Sequence, residues 1–230
     1  MIRKIITTGD GSKTIQIQDW NEQYHSVHGA VNEAYHVFID KGFAYLTGKS
    51  LRILEIGFGT GLNALITLIE AEKSKRQIDY TGVEAYPITI EEMLALDYIE
   101  TLNAASFKEV FAKMHKSAWG NKITLTPHFS FKKQKKDFRG ISDINLYDLV
   151  YFDAFGARVQ PELWTEVIFD KMYKALTNNG VLVTYAAKGS VRRAMEAVGF
   201  VVERLPGPPG KREMLRARKV LGKTNFHGNL

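Results

Sequence analysis

The feature that most constrains the fold is an apolar run that ends in a glycine-rich loop. Residues 51–57 are mostly hydrophobic, the loop contains Gly57, Gly59 and Gly61, and a helical apolar pattern covers residues 62–71. A buried strand, a tight glycine turn and a helix form the first unit of an open α/β sheet. Glycines let the backbone approach a ligand, which then meets the N-terminus of the helix. The sequence therefore predicts a ligand crevice at this turn.

The remaining apolar runs extend this pattern. Strands alternate with helices, which predicts a doubly wound, mainly parallel sheet, and an N-terminal β-hairpin precedes it. We expect an extension of hairpin and helix over residues 1–48 and an α/β domain over residues 49–230. The expected strands are 2–7, 13–18, 51–57, 80–84, 123–129, 147–155, 180–187, 200–205 and 212–219, and the expected helices are 29–45, 62–71, 105–118 and segments beginning near Pro87, at Pro161 and after residue 187.

Positive charge is concentrated in two places. The chain has 31 Lys and Arg against 25 Asp and Glu. Residues 188–223 contain ten basic and three acidic residues, a net of +7, so the rest is nearly neutral. Residues 130–140 form a second cluster, which we expect to be a lysine-rich loop. Such patches attract a polyanion such as RNA, or they form a solvated face that keeps the protein soluble.

The 230 residues include no cysteine. This excludes disulfides, thiolate nucleophiles and cysteine metal sites. No apolar run approaches the ~18 residues of a membrane span, and the N-terminus lacks the apolar core of a signal peptide. His25, His28 and His36 have no acidic residues arranged as in metal sites. We expect a cytoplasmic protein that holds no metal and contacts no membrane.

The glycine loop also indicates its ligand. The dinucleotide fingerprint requires glycine where the chain has Leu62, and the phosphate-binding P-loop sequence is absent. The pattern E-x-G-x-G-x-G, with Glu55 before the glycines, is typical of S-adenosylmethionine-dependent methyltransferases. An acid there suits a cofactor that carries an ammonium group. Glu84, at the end of the next predicted strand, can accept hydrogen bonds from both ribose hydroxyls.

Asp153 ends the strongly apolar segment 147–155 and is expected to face the crevice. Without cysteine, neither methylation of pyrimidine C5 by a thiolate nor radical methylation on a cysteine-bound cluster is open to the chain. The acceptor should therefore be a nitrogen or oxygen lone pair. Asp153 can hold an alkylammonium group and help to take its proton. A helix cap or an ion-pair partner is the alternative role.

Longer motifs resemble one family. LEIGFGTGLN, VEAYPIT, FDAFGARVQPELWTEVIF and GFVVERLPGPPGKREML are similar to the methyltransferase part of the bifunctional tRNA (5-methylaminomethyl-2-thiouridine) biosynthesis protein. The DGS hairpin and QYHSVHGAVNEAYHVFI also fit that family. The resemblance implies that residues 49–230 are a methyltransferase domain. It also implies transfer of methyl from S-adenosylmethionine to the exocyclic aminomethyl nitrogen of the wobble uridine in tRNA.

The resemblance assigns roles to single positions. It implies catalytic roles for Asp153 and Phe155. It implies cofactor contacts for Tyr24, Glu55, Gly57, Phe58, Gly59, Thr60, Gly61, Asn63, Glu84, Ala85, His128 and Asp153, and tRNA contacts for Lys188, Arg192, Arg193, Lys211 and Arg212.

The chain departs from the family in two respects. The family has Gly-Asp near the adenine, and Pro127-His128 takes the expected place here. The bifunctional protein continues into a flavin-dependent oxidase, whereas this chain has no second glycine fingerprint. We therefore expect a stand-alone methyltransferase without flavin, with any oxidase as a separate partner. Trp164 and Phe155 either wall the target base by stacking or pack in the core.

Two alternatives stay open. A small-molecule amine methyltransferase or aminopropyltransferase can have the same fold and the same two acids. Such enzymes bind cationic substrates, and the basic segment 188–223 argues against them. The other alternative is a non-catalytic module that binds the cofactor or RNA.

Overall fold

A computed structural model describes residues 2–220 and contains an eight-stranded sheet, with parallel strands at its centre. The strand order is β10-β11-β9-β8-β4-β5-β7-β6. The pairs β4–β5, β4–β8, β5–β7 and β8–β9 are parallel, and the edge strands are antiparallel. The strands are β4 (Ser50–Ile56), β5 (Gln77–Glu84), β6 (Lys122–Thr126), β7 (Phe129–Lys135), β8 (Tyr147–Phe152), β9 (Leu176–Thr184), β10 (Val201–Pro206) and β11 (Glu213–Arg218). The predicted doubly wound, mainly parallel sheet is confirmed.

Helices cover both faces of the sheet and bury one apolar cluster on each side. One cluster joins the helices at residues 30–34, 62–74 and 108–116 to the sheet, and the other joins the helices at residues 166–175 and 189–197 to it. Central strands buried on both faces explain the continuous hydrophobic runs in their sequences. The helices are α1 (Ala30–Ala34), continued as a π-helix (Tyr35–Phe43), α2 (Leu62–Ser74), α3 (Ile90–Ala95), α4 (Tyr98–Thr101), α5 (Lys108–Lys116), α6 (Glu166–Ala175) and α7 (Gly189–Ala197).

The N-terminal hairpin is part of a small separate sheet. Strands β1 (Arg3–Thr7), β2 (Lys13–Ile17) and β3 (Glu22–Gln23) pair in that order, all antiparallel. The π-helix after α1 then packs closely on the large sheet, where a Cβ at Gly42 would come within 3.0 Å of Val183. Residues 2–48 thus contribute a small antiparallel sheet and a helix that packs against the large sheet.

The segment 130–140 is not the expected loop. Residues 129–135 form β7, and its parallel register with β5 runs from Ile78–Phe129 to Glu84–Lys135. The sequence FSFKKQK alternates, so that Phe129, Phe131 and Lys133 point inward. Lys133 is only 3% exposed, and its ammonium lies 4.6 Å from the ring centroid of Trp119. The lysines made the segment look like a solvated loop, although its side chains alternate between buried and less buried positions as in a strand. The prediction of a loop was therefore wrong.

No helix within residues 2–220 is long and apolar enough to cross a lipid bilayer.

Candidate active site

A cavity of about 370 Å³ opens at the carboxyl ends of β4, β5, β7 and β8. This is the edge of an open α/β sheet where ligands bind. The turns after the four strands form its floor, while the N-terminal segment 22–28 and the β10–β11 turn form its opposite wall. The volume is that of a small-molecule site.

The glycine loop is shaped by close backbone contacts. Gly57, Gly59 and Gly61 all have positive φ, at +88°, +49° and +75°. A Cβ at Gly57 would collide with the carbonyl oxygen of Asp153, and one at Gly59 would lie 3.0 Å from the ring of Tyr24. Only glycine relieves both the strain and the contact at Gly57. The loop therefore brings the ends of β4 and β8 together under the cavity.

Glu84 is fixed by two backbone hydrogen bonds. Its Oε2 accepts from the N–H of Gly59 and its Oε1 from the N–H of Tyr86, both at 2.8 Å. A carboxylate oxygen can accept more than one hydrogen bond, so each oxygen keeps a free acceptor position. Because Glu84 also lines the cavity, it can accept from a pair of hydroxyls.

Asn63 links two acids beneath the cavity. Its Nδ2 donates to Glu55 Oε1 at 3.0 Å and to Asp153 Oδ2 at 2.8 Å. Glu55 is fully buried and does not reach the cavity wall, whereas Asn63 and Asp153 do. Burial raises the pKa of Glu55 well above its ordinary value. Within the described residues, the buried Asn63 Oδ1 has no hydrogen-bond partner. Asn63 therefore offers a free acceptor position beside the cavity.

Asp153 lines the cavity directly after the end of β8. Burial, followed by the charge of Glu33, raises the pKa of Asp153 to about 7, although the hydrogen bond from Asn63 and the charge of Lys211 act in the opposite direction. A carboxyl of this kind exchanges a proton near neutral pH, which suits an acid–base residue.

Aromatic residues of the N-terminal segment cover one side of the cavity. Tyr24 meets Phe155 edge to face with a centroid distance of 4.9 Å, and Trp20 does so at 5.7 Å. Trp164, in contrast, is 5% exposed, and its Nε1 donates to the carbonyl of Phe155 at 2.8 Å. Wall and core positions were both open for Trp164 and Phe155, and of the two only Phe155 lines the cavity.

Glu33 and Lys211 line the same cavity as Asp153. Glu33, on α1, is 5% exposed and forms an ion pair with Lys211, which belongs to the β10–β11 turn. The ammonium of Lys211 also lies 3.8 Å from the ring centroid of Tyr185. Glu33 was not among the predicted site residues, because the helical pattern of the sequence does not show that this acid points into the cavity.

A family model described as S-adenosyl-L-methionine-dependent methyltransferase matches residues 100–220. The match spans just over half of the chain. The chain belongs to this methyltransferase family.

Relatives of this methyltransferase carry a longer name. The tRNA 5-methylaminomethyl-2-thiouridine biosynthesis bifunctional protein MnmC of Actinobacillus pleuropneumoniae serotype 5b is 28% identical, over 88% of this chain and 33% of the relative. The same protein of Aeromonas hydrophila is 27% identical, over 88% of this chain and 35% of the relative. The chain therefore spans about a third of the length of the curated relatives that it matches.

Solved structures show the same fold. MnmC2 from Aquifex aeolicus has a TM-score of 0.74 and 25% identity, over 94% of this chain and 70% of that chain. Spermidine synthase from Thermotoga maritima has a TM-score of 0.54 and 13% identity, over 96% of this chain and 70% of that chain, and shares the fold alone. The predicted family resemblance is confirmed.

The methyltransferase cavity fits S-adenosylmethionine. The ligand carries two ribose hydroxyls, an ammonium group and a sulfonium. Glu84 offers paired acceptor positions, and Asn63 Oδ1 is an unpartnered acceptor beside the glycine loop. Of the expected cofactor residues, the cavity wall contains Tyr24, Gly57, Phe58, Gly59, Thr60, Asn63, Glu84, Ala85 and Asp153, whereas Glu55 and Gly61 lie behind it.

His128 was wrongly expected at the cofactor. It precedes β7, at the amino end of a strand whose carboxyl end faces the cavity, and its Nδ1 contacts Glu72 Oε2 at 3.0 Å. The error followed from the missed strand, since the turn at 127–128 was taken for the turn after it. Asp137 lies after the true strand end and lines the cavity. Hydrogen bonds from Arg139 hold the pKa of Asp137 below its usual value.

The residues expected to contact tRNA separate into two groups. Lys211 lines the cavity, whereas Lys188, Arg193 and Arg212 are exposed outside it. Arg192 is half-buried and pairs with Glu196 on α7 at 3.2 Å. Lys223, at the end of the basic segment, lies outside the described residues. Within residues 2–220, no group of three or more metal-ligating side chains is present.

Proposed function

We propose that this methyltransferase transfers a methyl group from S-adenosylmethionine to the exocyclic aminomethyl nitrogen of a wobble uridine in tRNA. The observation that carries the proposal is Asp153, a carboxyl with a pKa of about 7 on the floor of the cofactor cavity. The relatives, which are named as tRNA biosynthesis proteins, and the exposed basic residues support tRNA as the substrate. We further propose that the protein acts in the cytoplasm, and that residues 1–48 are an extension of a methyltransferase domain at 49–230.

The residues divide the work between binding and proton transfer. When bound, S-adenosylmethionine supplies an electrophilic methyl group on a sulfonium. Glu84 would bind the ribose hydroxyls, and Asn63 with Glu55 behind it would hold the ammonium end. Tyr24 and Phe155 would exclude water from the reacting atoms. An in-line transfer to nitrogen depends mainly on alignment, which these fixed groups provide.

Asp153 would prepare the acceptor. An alkyl amine arrives largely protonated at neutral pH and has no free lone pair. The carboxylate of Asp153 takes one proton from the ammonium, and the freed lone pair forms the C–N bond while the C–S bond breaks and its electrons stay on sulfur. The methylated ammonium product then carries the positive charge.

The acidic cavity also suits a small cationic acceptor. Its lining contains six carboxylates against one lysine and one arginine. This observation weakens the sequence argument that the basic segment disfavours a polyamine substrate. The acids are Glu22, Glu33, Glu84, Asp137, Asp153 and Glu162.

The deciding assay uses purified protein, radiolabelled S-adenosylmethionine and tRNA that carries the aminomethyl uridine. Label in that nucleoside, and none in tRNA with plain uridine at the position, is the expected result. Supplying the aminomethyl group directly makes the assay independent of any oxidase. Free amines such as putrescine are tested in parallel. Turnover of a free amine without label in tRNA would replace the proposal by a small-molecule transferase.

A further inference from the structure

The cavity contains an ion pair that binding of the cofactor does not require. Glu33 Oε2 accepts from the ammonium of Lys211, and Glu33 Oε1 accepts from the N–H of Ser26 at 3.0 Å. Both residues line the same cavity as the glycine loop and Asp153. The pair is therefore placed to act on an amine that enters this cavity.

Local structure holds the pair in place. Glu33 stands on α1, whose N-terminal region is fixed by Asp10 through a 2.9 Å hydrogen bond from the N–H of Asn32. Lys211 stands on a turn closed by the hydrogen bonds Lys211 N to Pro208 O at 2.9 Å and Gly207 N to Arg212 O at 3.1 Å. The ring of Tyr185 then restricts the ammonium of Lys211. Because the backbone is anchored at both residues and the ring of Tyr185 restricts Lys211, the two side chains have little conformational freedom.

We propose that Glu33 is a positioning residue for methyl transfer, which sets how tightly Asp153 holds the proton taken from the acceptor amine. The identity of the acceptor amine rests on the proposed function. The coupling of Glu33 to Asp153 rests on the position of both residues in the wall of one cavity. A second carboxylate facing the first makes the first a better proton acceptor. Glu33 is buried and forms an ion pair with Lys211, which offsets the cost that an unpaired carboxylate would have in this position.

Other groups around Asp153 cannot replace Glu33 in this role. Burial raises the pKa of Glu55, which favours its neutral form, and it likewise raises the pKa values of the phenols Tyr80 and Tyr185. Lys211 is positive and acts in the opposite direction on Asp153. Glu33 is thus the acid from α1 whose charge raises the proton affinity of Asp153.

The test compares three variants. Glu33→Gln removes the charge and keeps the shape, Glu33→Asp restores a carboxylate, and Glu203→Gln is the matched control. Like Glu33, Glu203 forms an ion pair with a basic residue, in this case Arg216 at 2.7 Å, but Glu203 lies outside the cavity. Thermal unfolding first establishes that each variant is folded.

The first readout is the titration of the Asp153 carboxyl carbon by NMR in ¹³C-aspartate-labelled protein without substrate, with Asp153→Asn used to assign the signal. We expect the midpoint to fall by about one unit in Glu33→Gln and to return towards wild type in Glu33→Asp. Glu203→Gln should leave it unchanged. An unshifted midpoint in folded Glu33→Gln, or an equal shift in Glu203→Gln, would overturn the proposal.

The second readout is the pH profile of kcat/KM for methylation of aminomethyl-uridine tRNA. Its acidic limb should move to lower pH in Glu33→Gln by the same amount as the NMR midpoint. A merely structural role would lower the rate without moving the limb, and that result would also overturn the proposal. If the wild type methylates no tRNA while the NMR midpoint still shifts, the proposed substrate fails and the coupling of Glu33 to Asp153 stands.

Discussion

The Asp153 carboxyl determines how the rate should depend on pH. Its carboxylate form accepts the proton, so kcat/KM, which reflects the pKa of the free enzyme, should rise with pH through about 7 and then level off. Asp153→Asn should lower kcat at least ~100-fold, because the amide cannot take a proton. Calorimetry should find the affinity for S-adenosylmethionine within about tenfold of wild type, since Glu84 and Asn63 remain. Normal turnover in this variant would remove Asp153 from the mechanism.

The same carboxyl makes stability depend on pH. Because folding raises the pKa of Asp153 from 3.8 to about 7, its contribution is fully present below pH ~4 and is lost as the pH rises through 7. At pH 8, Asp153→Asn should therefore be more stable than wild type by roughly 2 kcal/mol and should unfold at a higher temperature. This value is half of the free energy that corresponds to the whole pKa difference, because Asp153 faces the cavity. Near pH 4 the difference should vanish. A calorimetric melt at both pH values measures this, and equal differences at both would contradict it.

Gly57 tests the backbone contact beneath the cavity. Gly57→Ala places a methyl group against the carbonyl of Asp153 and strains a φ of +88°, and we expect a loss of about 3 kcal/mol. Gly120→Ala is the matched control, since it has a φ of +85° and nothing within 4 Å of its Cβ, and should lose only about 1 kcal/mol. Chemical denaturation measures both. Equal losses would mean that the Asp153 contact contributes nothing.

Among the helices and strands, the sequence predicted best those in which a hydrophobic run is followed directly by a glycine or an acidic residue. The apolar strands β4 and β8, each followed by glycine or acid, predicted the sheet and the position of the cavity. Strand β7 was missed because three of its seven residues are lysines, one of which is buried, and the turn at Asp137 was missed with it. The inward direction of Glu33 depends on how α1 packs against a turn 178 residues away, which no local pattern contains.

Arg158 connects two elements that enclose the cavity. Its Nη2 donates to the carbonyls of Trp20 and Asn21 at 3.3 and 3.0 Å and to Glu22 Oε2 at 3.0 Å, which joins the turn after β8 to β3. Arg158→Ala should loosen the Tyr24 side of the cavity and raise the KM for S-adenosylmethionine about three- to tenfold, with a smaller change in kcat. Lys174→Ala removes an ion pair on α6 and serves as control. An unchanged KM would show that the small sheet keeps its place without Arg158.

Across the whole molecule, charge is sorted by depth. Of the eight Asp, Glu, Lys and Arg residues that line the cavity, six are acids, which suit an ammonium acceptor and a sulfonium, whereas Lys188, Arg193 and Arg212 are exposed outside it. The basic segment predicted from sequence is partly neutralised in the structure, since Arg216 and Arg218 pair with Glu203 and Arg204 with Glu213. Counting charge along the chain therefore overstates the surface left for a polyanion.

Three exposed residues keep their charge for such a partner. Within residues 2–220, Lys188, Arg193 and Arg212 have no ion pair, so they can contact phosphates. Replacing all three with alanine should weaken tRNA binding and reduce the slope of log K against log salt by about two, because fewer counterions are released. The rate at saturating tRNA should change little, since none of the three lines the cavity.

The control for this prediction is a second triple variant that removes the same charge elsewhere. Lys73, Lys122 and Lys174 are exposed, but each pairs with a carboxylate at 2.6–2.8 Å. Their replacement by alanine frees three acids and changes the net charge equally, so a purely non-local effect of charge would weaken tRNA binding to the same extent. Filter binding from 50 to 300 mM salt separates the cases. If both triple variants show the same slope and affinity, Lys188, Arg193 and Arg212 do not form the tRNA surface, and long-range attraction alone brings tRNA to the acidic cavity.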